Sequence, residues 1–177
     1  KARLSRDADK YPDPTRVRLH RALSWLGRAE REDKDPDAAF IFLWIAFNAA
    51  YAREFGERED ERARLGQFIG ALLAADAQRT LHALVFSQFT GPVRTLIDNK
   101  FVFEPFWRAL RGHDGSGHWE RSFESSHKAA LASLMKGDTA TVLSIVFDRL
   151  YVLRNQLVHG GATWNGKLNR AQVKDGV

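Results

Sequence analysis

The sequence predicts an all-α protein, a helical bundle of four or more helices. Two observations carry this prediction. Apolar residues recur at three- and four-residue intervals through most of the 177 residues, and no stretch alternates apolar with polar residues for long enough to build a sheet. The intervals between these runs hold proline, glycine and aspartate, the residues that start and stop helices. An apolar share of 44% suffices for one continuous core. The organisation predicted is a loose arm over 1–14, one helical domain over 15–161 and a weakly patterned tail over 162–177.

Val17, Leu19, Leu23, Trp25 and Leu26 lie at helical spacing among arginines after Pro14, which predicts a first helix over 15–32. Asp35-Pro36-Asp37 breaks the chain, and Asp37 is the expected cap of a second helix reaching about Phe55. That helix carries Phe40, Ile41, Leu43, Trp44, Ile45, Phe47 and Tyr51, is apolar on every side, and belongs in the core. After the charged stretch from Glu57 to Arg64, Leu65, Phe68, Ile69, Leu72 and Leu73 predict a third helix. Shorter pieces follow over 77–111, separated by Gly91-Pro92 and interrupted by Pro105, with aromatic residues read as packing rather than base stacking. A glycine-rich loop from Gly112 to His118 precedes a helix over 119–136 that stops at Gly137. Asp138 or Thr139 then caps a last long helix that ends near Val158 or His159, before Gly160-Gly161.

Composition narrows the function classes. The absence of cysteine removes disulfides, thiolate zinc sites and cysteine nucleophiles, and makes a cytoplasmic location the expectation. The longest apolar run, Ala38 to Ala52, is interrupted by Asn48 and is shorter than the ~20 residues a bilayer requires, and no membrane role is expected. A net charge of +5, with acidic residues mixed in throughout, permits a phosphate-bearing partner without a block of pure positive charge. His113, His118 and His127 with Asp114, Glu120 and Glu124 suggest a metal site, but no two of these histidines stand four apart as on a zinc-binding helix. No Walker-type loop, dinucleotide fingerprint or nucleophile elbow occurs, and neither metal nor cofactor is predicted.

The last helix is the most informative. At about 100° per residue, Val142, Ile145, Val146, Leu150, Leu153 and Leu157 share one side, taken as the bundle face. Phe147, Tyr151 and Val158 form a second apolar strip beside Arg154. Asp148, Asn155 and His159 line a third sector. The strip suits a two-fold contact with a second copy through Phe147 and Tyr151, or a further helix of the same chain covers it.

Arg154-Asn155-Gln156-Leu157-Val158-His159 resembles the R-N-x-x-x-H form of the signature that marks ribonucleases of the HEPN superfamily, in an Apea-like or similar branch. Phe42-Leu43-Trp44-Ile45-Ala46-Phe47-Asn48 resembles an earlier core helix of the same superfamily. The resemblance implies a HEPN-like bundle that dimerises so that two motifs face one another and cut RNA without a metal. Arg154 and His159 are then the catalytic pair. Histidine exchanges protons near neutral pH, and a permanently charged guanidinium holds a phosphate. Asn155, with Asp148 and Asn48 behind it, orients the imidazole or the phosphate. HEPN toxins paired with nucleotidyltransferase antitoxins commonly have a tyrosine two residues beyond the histidine, where this chain has Gly161. That departure favours other branches, including those tied to phage defence, with an antitoxin or other regulatory protein as a further partner. The alternative expectation is a catalytically silent HEPN module that binds RNA or protein. On the purely structural reading, Arg154 pairs with an acid, Asn155 bonds backbone and His159 caps its own helix.

Overall fold

The computed structural model describes residues 11–51, 61–112 and 118–177. It is all-α: among the described residues there are nine α-helices and no strand. None is long and apolar enough to cross a membrane. The chain divides into two compact units, residues 1–65 with Val177, and residues 66–176.

The first unit is a helical hairpin. Helix α1 (Asp13–Ala29) begins two residues earlier than the apolar spacing alone indicates, with Pro14 in its first turn and Asp13 paired to Arg16. The predicted arm over 1–14 therefore overlaps the helix at its end, while residues 1–10 lie outside the described chain. Helix α1 ends at Ala29, before the predicted Glu32, because the next amides close tighter turns: Arg31 N bonds Arg28 O and Glu32 N bonds Ala29 O. Helix α2 (Pro36–Tyr51) is capped by Asp35, whose Oδ1 accepts from Ala38 N at 3.1 Å. The cap expected of Asp37 thus falls to the residue on the other side of Pro36, and Asp37 is buried in the first turn. The predicted continuation to Phe55 lies outside the described residues. Helices α1 and α2 pack along their length. Trp25 meets Phe42 at 5.7 Å, and the Arg28 guanidinium lies 4.8 Å above the same ring. Phe40, Trp44 and Ala46 are buried, whereas Ile41, Leu43, Ile45 and Phe47, expected in the core as well, are half-buried.

Helix α3 (Glu61–Ala75) leads into the second unit. A short α4 (Thr80–Ala83) runs into a π-helical turn over Leu84–Gln88, closed by Phe89 N on Leu84 O at 2.9 Å. Helix α5 (Thr90–Ile97), a 3₁₀ turn (Lys100–Val102) and α6 (Glu104–Leu110) follow. Gly91-Pro92, expected as a separator, lies in the first turn of α5, and Pro105 opens α6; a proline fits there because those amides have no intrahelical acceptor. Helix α7 (Trp119–Lys136) stops at Gly137, whose φ of +67° is the left-handed cap conformation. Helix α8 (Thr139–Val158) packs on α5 and α7, around a core of Val85, Val93, Ile97, Ala130 and Val142. The weakly patterned tail holds α9 (Arg170–Asp175), which packs on α5 with Val173 2% exposed.

Candidate functional site

Helix α8 places the candidate residues. Asp138 caps its start: Oδ1 accepts from Thr141 N at 3.1 Å and Oδ2 from Thr141 Oγ1 at 2.7 Å. These bonds, the hydroxyl's first and the amide's second, hold the Asp138 carboxyl below its ordinary range. Its most buried residues are Val142, Arg149, Val152, Leu153 and Gln156. Of the predicted bundle face, Val142 and Leu153 are buried, whereas Ile145, Val146, Leu150 and Leu157 are half-buried. The face is thus turned to include two polar residues that apolar spacing passed over.

Arg149 is one of them, at 3% exposure. Its guanidinium lies 4.3 Å from the Phe103 ring centroid and 5.5 Å from that of Phe123, and Nη2 donates to Ser126 Oγ at 3.3 Å. Among the described residues its Nε has no hydrogen-bond partner. Burial pushes its pKa down to about 10, against the opposing charge of Asp148.

Gln156 is the other, inside the six-residue motif. Its Nε2 donates to Phe101 O at 2.6 Å, and its Oε1 accepts from Asn169 Nδ2 at 2.6 Å. Asn169 in turn accepts from Asn99 Nδ2 at 3.1 Å. The backbone returns over the same residue: Gly160 has φ +70°, Ala162 N donates to Gln156 O at 2.9 Å, and a Cβ on Gly161 would stand 3.4 Å from Gln156 Cα. Every polar group of Gln156 named here has a partner, which is how a buried amide side chain is retained.

The motif residues stand around this anchor. Arg154 Nη1 donates to Asn155 Oδ1 at 2.9 Å, and the guanidinium lies 4.8 Å from the Tyr151 ring centroid. Arg154 thus touches both Tyr151 and Asn155. His159 terminates the helix, its amide bonded to Asn155 O at 3.0 Å and its side chain exposed. Asn155 touches both catalytic candidates, one through its side chain and one through its backbone. Arg154 and His159 stand five residues apart, about 140° around an ideal helix. Asp148 is exposed two turns before Asn155, and Phe147 is half-buried like Tyr151. Asn48 belongs to the first unit, where its Oδ1 accepts from Tyr51 OH at 2.7 Å.

His127 Nε2 lies 2.7 Å from Asp98 Oδ1, an ion pair when the imidazole is protonated. Among the described residues no group of three histidine or carboxylate side chains is placed to hold a metal ion, and His113 and Asp114 lie outside them. No protein-family profile, curated protein or solved structure matches this chain.

Proposed function

We propose that the chain is a metal-independent endoribonuclease, acting as a dimer, with Arg154 and His159 as its catalytic residues. The observation that carries this reading is the end of α8. There a guanidinium is held by Tyr151 and Asn155, and an exposed imidazole follows on the same last turns. Pre-organising a forked cation removes ordering cost from phosphate binding, and an exposed imidazole can reach a ribose hydroxyl.

In the proposed step the His159 imidazole takes the proton of the ribose 2′-hydroxyl. The 2′-oxygen bonds to phosphorus and the bond from phosphorus to the 5′-oxygen breaks. The leaving 5′-oxygen takes a proton from solvent, and the imidazolium returns one. The products are a 2′,3′-cyclic phosphate and a 5′-hydroxyl. Arg154 binds the charge that grows on the phosphoryl oxygens. Asn155 fixes Arg154 in place. A toxin or phage-defence role in the cytoplasm, with a regulatory protein partner, suits such an activity.

The test is incubation with RNA in excess EDTA, followed by analysis of product ends. Wild type is expected to cut with undiminished rate and leave cyclic phosphate ends, and a DNA of the same sequence to stay intact. His159→Ala should cut about 10² to 10⁴ times more slowly with RNA affinity little changed, whereas Arg154→Ala should lose both. Cleavage by His159→Ala at the wild-type rate would refute the mechanism. That outcome would move the chemistry to another site, whereas wild-type protein that binds RNA without cutting it would favour the second reading, a silent module that binds RNA or protein.

A further inference from the structure

We infer that Trp164 is a stacking platform for a base of single-stranded RNA lying across the end of α8, with Lys167 supplying charge for its phosphates. The inference deepens the ribonuclease reading and rests on it for the place of the cut.

Trp164 is 70% exposed, an unusual position for a side chain with so much apolar surface. It stands on a built turn. Gly166 N donates to Thr163 O at 2.9 Å, and Asn165 between them has φ +53°. A Cβ at Gly166 would come within 2.8 Å of Thr163 O, so a larger residue there must shift the turn. Arg170 Nε donates to Gly166 O at 3.1 Å from the following helix.

Both ends of the loop are tied to the same residue of α8. Ala162 N bonds Gln156 O at 2.9 Å before the turn, and Asn169 Nδ2 bonds Gln156 Oε1 at 2.6 Å after it. Two residues of chain reach at most about 7 Å, so the Trp164 backbone stays close to Ala162 and hence to the last turns of α8. Arg154 and His159 occupy those turns. The loop that carries the ring is thus tied at both ends to the helix that bears the proposed cutting residues, and is already ordered. A base that stacks on it meets little further ordering cost. An indole face takes any base, and Lys167, exposed on the same loop, offers a cation to the sugar-phosphate chain. An exposed ring with a cation three residues on suits a strand whose bases are unpaired, since a duplex hides their faces.

The experiment compares wild type, Trp164→Ala, Trp164→Phe and Gly166→Ala for binding a fluorescently labelled single-stranded RNA and the same sequence as a duplex. Trp164→Ala is expected to bind the single strand roughly 5- to 150-fold more weakly, the range for losing one stacked base. Trp164→Phe should keep most of the affinity. Gly166→Ala, which retains the indole but shifts the turn, should fall between them, and duplex binding should be the same for all four. Circular dichroism melting checks that each variant folds. Unchanged single-strand affinity in Trp164→Ala overturns the inference, as does an equal loss for the duplex, absence of RNA binding by wild type, or a change in sedimentation that marks Trp164 as a protein contact. His159→Ala, measured alongside, separates the two readings. If it cuts RNA at the wild-type rate the catalytic reading fails while the stacking result stands, and if it is inactive while Trp164→Ala binds normally the reverse holds.

Discussion

Arg149 shows how one residue can oppose the pattern around it. Its position is at the centre of the buried side of α8, where an arginine gives up its water and receives two aromatic faces and one long hydrogen bond. Removing a charge from water costs several kcal/mol. A desolvated contact with an aromatic face returns about 2 kcal/mol, and a hydrogen bond to a charged group about 1.5 to 3 kcal/mol at good geometry. The 3.3 Å bond to Ser126 is at the long end. The lowered pKa has the same sign: folding disfavours the charged form, so the charge costs stability at neutral pH. Arg149→Met, which keeps the volume and places a thioether against Phe103 and Phe123, should therefore leave stability unchanged or raise it by about 1 kcal/mol. Arg149→Ala should lower it by on the order of 2 to 4 kcal/mol through the space left beneath the rings. Urea titration of the three proteins measures both. A loss in Arg149→Met as large as in Arg149→Ala would mean that the cation outweighs its desolvation.

At the scale of the element, α8 is legible in the sequence at its ends and only in part on its sides. Asp138 and Gly160 are short-range signals, and each acts where the sequence places it. The buried side was assigned by apolar residues alone, which hid Arg149 and Gln156. Their burial depends on Phe103, Phe123, Phe101 and Asn169, partners far away in sequence that no periodicity contains. Helix α9 escaped notice for a like reason: within Arg170–Asp175 the buried residues are one valine and one glutamine. Trp164 stands between turn residues in the sequence, but apolar periodicity carries no information on a turn. The Asp138 cap has a pH signature. A carboxyl whose folded pKa is depressed adds stability that is complete above its unfolded pKa, about 3.9, and is lost as pH falls through the folded value. The difference in Tm between wild type and Asp138→Ala should thus be constant from neutral pH to about pH 5 and shrink on further acidification. Asp76, held low by the amides of Leu81 and Thr80 against desolvation, is present in both proteins and leaves that difference to Asp138. A difference that does not change down to about pH 2 would show that the ionised carboxylate is not what stabilises the turn.

At the scale of the molecule the open question is how two side chains on different sides of one helix can serve one phosphate. Within a copy, Arg154 is drawn back over Tyr151 and tied to Asn155, while His159 lies past the end of the helix. A two-fold contact along the strip of Phe147 and Tyr151, with the two α8 helices running in the same direction, would set their last turns side by side and the guanidinium of one copy toward the imidazole of the other. The proposal of a shared cleft then has a consequence for mixtures. Arg154→Ala and His159→Ala, each inactive alone, should regain activity when mixed under conditions that let subunits exchange. Half of the dimers are then mixed, and each holds one intact pair out of two, so about a quarter of the wild-type rate is expected. Phe147→Glu, which places a charge in the contact two turns before Arg154, should sediment as a monomer at micromolar concentration and fail to complement. A mixture with no activity, although sedimentation shows that mixed dimers form, would put both residues of each site in one copy. Arg154 would then have to leave Tyr151 to reach the phosphate that His159 serves.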